Sequence, residues 1–411
     1  METTFEDRVK IIDDAIALKK TDRVPFAPNV ESLPYFFSDN GTTYKDCMYD
    51  YPKASEAIIK FYKELMPDAQ MGALFNSGRS NELAGSRMID WPGRPGTKVP
   101  DFTTYQVLEN EYMSPDEYPE LLRDYTGFMI RKYIPRAYSN LGGLAPVSFL
   151  PTIVLGTGLL AGLYNPSVIE AFDIIKQIGA HDGEAAAAAE KVGAELAALG
   201  IPPMMTGIGE APFDILSDYF RTTTGAMEDM LECPDMVEAA CDLFADIQIA
   251  SWEYFKFAPL PVKRVFFPLH KGMDGFMGPK QFDTLYWKPL LKCVNALVAM
   301  GVTPFLYSEG NYFSRIDAMT DLPKGKCILH FESADPAACK KAFKDVACLS
   351  GFFPIYHLEW SSKQTVIDET KRYLDILADG GGYIFDTNAV VENAKRENWE
   401  AMVETVRGYK L

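Results

Sequence analysis

VTPFLYS at 302–308, KCILHFE at 326–332 and VACLSGF at 346–352 stand in a row, three apolar runs of strand length with room for one helix or turn between each. Runs this short and this continuously apolar read as strands buried on both faces, the pattern of a parallel sheet covered by helices. Working outward, PMMTGIG at 203–209 and RVFFPLH at 264–270 precede them, and GYIFDTN at 382–388 follows. Helical patterns fill the gaps at 279–299, 312–320, 335–343, 363–378 and 393–407. Two earlier runs, VPFAPNV at 24–30 and AQMGALF at 69–75, bring the strands to eight, the number that closes a (β/α)8 barrel.

An open doubly wound sheet would give a similar alternation. It is disfavoured because no GxGxxG follows the first strand and no GxxxxGK[ST] occurs anywhere, leaving no dinucleotide or nucleoside triphosphate site. The stretch 77–165, with WPGRPG, EYMSPDEY and LGGLAP, reads as loops and short helices inserted into one barrel domain spanning 1–411. The Ala-rich DGEAAAAAEKVGAELAAL at 182–199 is a helix by propensity, opened by His181.

A net charge of −17 repels nucleic acid and anionic membrane surfaces, and no run of roughly eighteen apolar residues offers a membrane span. The opening METTFEDRVKIIDDAIALKK lacks the basic and apolar blocks of a signal peptide, so a cytoplasmic location is expected. Seven cysteines, Cys47, Cys233, Cys241, Cys293, Cys327, Cys339 and Cys348, are odd in number and never in a CxxC pair, which argues against disulfides and zinc knuckles.

In a barrel the chemistry gathers at the C-terminal ends of the strands. Only four histidines exist; His181 and His357 fall outside strands, while His270 and His330 close strands. His270, Glu309 and Cys348, taken as three strand ends, offer an imidazole, a carboxylate and a thiol that could hold Zn²⁺ with its fourth position open. His330 and Glu332 alternate on one strand, point to one face and form the reserve ligand pair. Glu210, Asp274 and Tyr307 are the candidates for direct chemistry. Among 26 Phe, 21 Tyr and 5 Trp, the rings of Phe276, Tyr312, Phe352 and Tyr356, with Asp386, are the candidates for lining a substrate pocket.

GIGEAPFDILSDYFR at 207–221, SEGN at 308–311, SGFFP at 350–354 and GGYIFDTNAVVENAKRENWEAMVE at 381–404 resemble, in order, the uroporphyrinogen decarboxylase superfamily. That resemblance implies a (β/α)8 barrel and one of two activities, porphyrin decarboxylation or methyl transfer involving a corrinoid protein. The porphyrin branch carries an Arg-rich carboxylate clamp after the first strand. Here VPFAPNVESLPYFF has no Arg from Ala27 through Phe37. The methanol- and methylamine-type branch holds zinc through a His-x-Cys pair and a later Cys. Those places read Tyr307-Ser308-Glu309 and Asp386-Thr387-Asn388-Ala389 here.

HKGMDGFM at 270–277, Glu309-Gly310, Pro323-Lys324-Gly325 and Cys348 with Gly351 are similar instead to the O-demethylase branch. The resemblance implies a zinc-dependent enzyme that cleaves an O-methyl substrate of the aryl methyl ether class and passes the methyl group to Co(I) of a separate corrinoid protein. The cofactor must come from that partner, because no D-x-H-x-x-G corrinoid motif is present. The competing expectations are a decarboxylase of a small non-porphyrin substrate and a ligand-binding barrel without turnover. A homo-oligomer is compatible with all three.

Overall fold

The computed structural model describes residues 3–73, 75–149 and 156–411. Six strands form one parallel sheet in chain order: β3 (Gly207–Ile208), β4 (Arg264–Leu269), β5 (Thr303–Asn311), β6 (Ile328–Ser333), β7 (Cys348–Phe353) and β8 (Tyr383–Thr387). An earlier antiparallel pair, β1 (Ile89–Asp90) and β2 (Gln106–Val107), stands apart in the inserted stretch.

The two early runs complete the ring as staves held by isolated bridges. Phe26 pairs with Phe385 and Gln70 with Pro203. Asp68 N–H reaches Phe26 O at 2.8 Å, and Met204 N–H reaches Gln70 O at 2.7 Å. Pro25 and Pro28 remove two ladder donors from the first stave, which explains why it pairs by single bridges. Leu74, part of the second expected run, lies outside the described residues. The molecule is thus a (β/α)8 barrel.

Side-chain alternation sorts the wall into two surfaces. Val265, Phe267 and Leu269, with Leu329, Phe331, Leu349 and Phe385, face outward into the shell of helices. Phe305, Tyr307, Ile328, Cys348 and Ile384 face inward, and the helix Phe5–Ile16 stoppers the barrel floor with Ile11, Ile12, Ala15 and Ile16. That helix starts where it does because Thr4 and Asp7 form a reciprocal capping box.

The helices at 279–299, 335–343, 363–378 and 393–407 appear close to their expected bounds. The expected helix at 312–320 is replaced by turns and a short 3-10 segment, Asp317–Met319. There Asp274 accepts from Ser314 N and Oγ at 2.9 and 2.5 Å, pinning the chain in a loop. The Ala-rich helix runs much further than expected, from Pro166 to Ala198, so His181 lies inside it and contacts Glu184 at 3.3 Å. Asn165 as cap and Pro166 at the first position fix its true start. Among the described residues no helix is long and apolar enough to cross a membrane.

Candidate active site

At the mouth, β4 ends in His270, whose ring has carboxylates on both sides. Nδ1 lies 2.6 Å from Asp218 Oδ2 and 3.6 Å from Glu210 Oε1, while Nε2 lies 3.8 Å from Glu309 Oε1. Asp214 sits beneath. Its oxygens accept from His270 N at 2.8 Å, Lys271 N at 2.9 Å and Tyr286 Oη at 2.7 Å, so it fixes the turn after β4. Lys271 Nζ closes the cluster 3.1 Å from Asp218.

Three of these acids come from one short segment. Glu210, Asp214 and Asp218 recur every fourth residue through the helical turn Pro212–Asp214 and the π-helical stretch Ile215–Arg221, so they stack on one face. Gln248 clamps the start of that segment, accepting from Glu210 N at 2.9 Å and donating to Glu210 O at 3.0 Å. GIGEAPFDILSDYFR shows the four-residue spacing in the sequence, yet only Glu210 was an expected site residue. Asp214, Asp218 and Lys271 were missed.

The electrostatics divide the cluster. Burial dominates at Glu210, and with Asp214 and Asp218 nearby its carboxyl is pushed up to about 8 despite the opposing His270 charge. Its Oε1 is buried and has no hydrogen-bond partner. At His270 burial favours the neutral ring, but the hydrogen bond to Asp218 and the charges of Asp214 and Glu309 outweigh it and raise the pKa to about 10. Burial also works to raise Asp218, yet its bonds to His270 and Lys271 hold it below the usual carboxylate range. Burial raises Glu309, with Glu332 adding to the effect and His270 opposing it. The result is an imidazolium flanked by an ionised Asp218 and a Glu210 that keeps its proton at neutral pH.

A cavity of about 590 Å³ opens onto this cluster. Asp218, Tyr219, His270 and Lys271 form one wall; Tyr105, Tyr112 and Tyr138, with Met88 and Leu108, form the other. Those residues come from the inserted stretch, whose irregular turns carry no periodicity that sequence reading could use. Tyr219 Oη donates to Glu210 Oε2 at 3.4 Å, tying the pocket wall to the acid.

Of the expected metal ligands, the structure brings His270 and Glu309 together and excludes Cys348. Cys348 is the first residue of β7, paired with Ile328 at the start of β6, and is fully buried against the floor. Five residue steps of about 3.3 Å put it roughly 16 Å below the strand's mouth end. Burial also drives its thiol pKa strongly upward, away from the thiolate a metal requires.

The reserve pair separates as well. His330 is wholly buried one layer below the mouth, its ring stacked on Tyr307 at 3.8 Å and its Nε2 2.8 Å from Thr387 O; burial lowers its pKa to about 3. Glu332 stands higher, accepting from Gly310 N at 2.5 Å.

Other expectations are corrected by packing. Tyr307 and Asp386 share the buried middle layer with His330 and stay away from the cavity; Asp386 accepts from Asn29 N at 2.8 Å. Asp274 is spent on the Ser314 loop and faces Arg315 at 3.4 Å. Phe276 and Tyr312 are core residues outside the barrel wall, the first edge-on to Phe213 and the second bonded to Leu269 O at 3.2 Å. Phe352 packs outward on Phe331 with φ +76°, a left-handed twist shared with Gly351 at +87°. Gly351 tolerates that twist, and a Cβ there would stand 2.7 Å from His330 Nε2. Tyr356 is exposed on the helix after β7, against His357. None of these four rings lines the 590 Å³ cavity.

Among the described residues, one ligand atom each from Glu210, Asp214 and His270 lie within 4.8 Å of one another, a grouping able to hold a metal ion. Asp214 already accepts three hydrogen bonds, and Glu210, His270 and Glu309 are the less committed side chains beside it. The Nε2 to Glu309 separation of 3.8 Å is close to the span of two ligands on one tetrahedral ion. Asp218 on Nδ1 supplies the orienting carboxylate that metal-bound imidazoles use.

No curated protein matches the chain by sequence. A solved methyltransferase from Methanosarcina mazei shares its fold at a TM-score of 0.57 and 14% identity, with 99% of each chain covered. The uroporphyrinogen decarboxylase model matches residues 165–409. That match takes in β3 through β8 and the acidic segment that builds the mouth, and it establishes that the chain belongs to the uroporphyrinogen decarboxylase family.

Proposed function

We propose that this protein is a methyltransferase that removes the methyl group of a small O-methyl substrate, of the aryl methyl ether class, and delivers it to Co(I) of a separate corrinoid protein. The observation that carries the reading is the division of labour around His270, with the buried Glu210 carboxyl that holds its proton on one side and the half-buried Glu309 carboxylate on the other. Displacement of an ether methyl needs the departing oxygen stabilised and then protonated.

On this reading His270, giving up its Nε2 proton to the incoming ion, and Glu309 would hold a divalent cation at the mouth. A bound Zn²⁺ would supply Lewis-acid polarisation of the ether oxygen. Asp218 keeps the His270 ring oriented by its 2.6 Å bond. Glu210, protonated up to about pH 8, hands its proton to the departing oxygen. Tyr105 and Tyr219 flank the entrance and would stack an aryl ring, and the remaining cavity volume admits one such ring with its substituents. The partner's cofactor must approach over the mouth, since the methyl group has to lie within bonding reach of cobalt.

Mixing the enzyme with reduced corrinoid protein and a panel of methoxylated aromatics tests the proposal. Conversion of the Co(I) spectrum to methyl-Co(III) with at least one donor is the expected result. Release of carbon dioxide from a small carboxylic acid, with cobalt unchanged across the panel, would place the protein with the decarboxylases.

A further inference from the structure

A second cavity, of about 400 Å³, lies at the opposite end of the barrel, on the face where the staves begin. Three guanidinium groups line it from three separate elements. Arg8 comes from the floor helix, Arg23 from the residue before the first stave, and Arg407 from the C-terminal helix Arg396–Gly408. One interior carboxylate serves them: Asp68 is taken by both arms of Arg23, at 2.5 and 2.6 Å. Glu64 is on the exposed rim.

Arg8 is 5% exposed, is held by Thr3 O and Gly200 O at 2.7 and 3.0 Å, and its Nε has no partner. Arg407 donates only to the carbonyls of Leu65 and Met66. Burial pushes both Arg8 and Arg407 below the ordinary guanidinium range, and the charge of Arg23 adds to it in each. In a chain of net charge −17, three guanidinium groups against the two carboxylates of Asp68 and Glu64 leave this cavity with a local excess of one positive charge.

We infer that this floor cavity is a binding site for a small soluble polyanion, one bearing phosphoryl or clustered carboxylate groups. Guanidinium forks match both oxyanions, and the volume is that of a small-molecule site. The site is far from the mouth and does not depend on the proposed methyl transfer.

Titrating the full-length protein at low salt with pyrophosphate, and separately with citrate, tests it by calorimetry and by thermal shift. The expected result is saturable one-to-one binding of at least one probe, weakened tenfold or more in Arg407→Gln and strengthened in Glu64→Gln. The probe that binds tells phosphoryl from carboxylate recognition. Arg407 is exposed, so its variant folds even if Arg8→Gln does not. No saturable binding of either probe, or equal binding by wild type and Arg407→Gln, would overturn the inference.

Discussion

The two ends of one barrel interior differ in almost every physical respect. The floor of the interior is Phe305, Ile328, Cys348 and Ile384, buried apolar side chains capped by a helix. The mouth is Glu210, Asp218, His270 and Glu309, an acidic cluster whose Asp218 and His270 line a cavity of about 590 Å³. Between them Tyr307, His330 and Asp386 form a buried polar layer. Position along a strand decides whether a side chain takes part in chemistry or in packing. Cys348 and His270 are both potential zinc ligands by residue type, and only the second stands where a substrate can reach it.

Substitutions at the two ends should therefore diverge. His270→Ala removes the group on which every mouth carboxylate converges, and methyl transfer should become undetectable in the cobalt assay. Glu210→Gln keeps the shape and removes the proton, so kcat should fall by about 10²–10⁴-fold. That variant should also lose the alkaline limb of the pH profile. Wild-type activity should decline as pH rises through about 8, where Glu210 gives up its proton, and the Gln variant should not follow it. Metal retention in Glu210→Gln sharpens the point: a variant that loses the ion would make Glu210 a ligand in place of an acid.

Asp218→Asn, which weakens the orientation of His270, should reduce metal affinity or activity by about 10–100-fold. The smallest effect belongs to the floor. Cys348→Ala should leave kcat within about twofold and cost about 1 kcal/mol in denaturant unfolding, the scale for deleting one buried heavy atom.

The middle layer gives a separate, acid-side signature. His330 has a folded pKa near 3 against about 6.5 for the unfolded chain, so the unfolded state binds the extra proton between those values. The stability held above pH 6.5 should therefore drain as pH falls toward 3, and urea midpoints measured across that window in wild type and His330→Asn should converge at low pH.

Much of the fold was legible. The runs at 264–270, 302–308, 326–332, 346–352 and 382–388 are strands within a few residues, because a doubly covered parallel strand must be apolar throughout. The first two staves were readable as apolar runs, though their prolines reduced them to bridges. In the site, His270, Glu309 and Glu210 could be found because strand ends in a barrel face the mouth. Cys348 was misplaced because its run, VACLSGF, gives the strand without stressing that the chain enters at the floor, which puts its early residues deepest. Asp214 and Asp218 carried a usable signal, a four-residue spacing after Glu210. The tyrosines at 105, 112 and 138 carried none, since irregular loops reach the cavity through tertiary packing alone.

The contrast between mouth and floor comes down to where a divalent cation binds. Zinc content per chain, measured after dialysis for the wild type and for His270→Ala, Glu309→Ala and Cys348→Ala, decides it most directly. The account predicts one zinc in the wild type and in Cys348→Ala, and none in the two mouth variants. Loss of zinc from Cys348→Ala with retention in His270→Ala would contradict it.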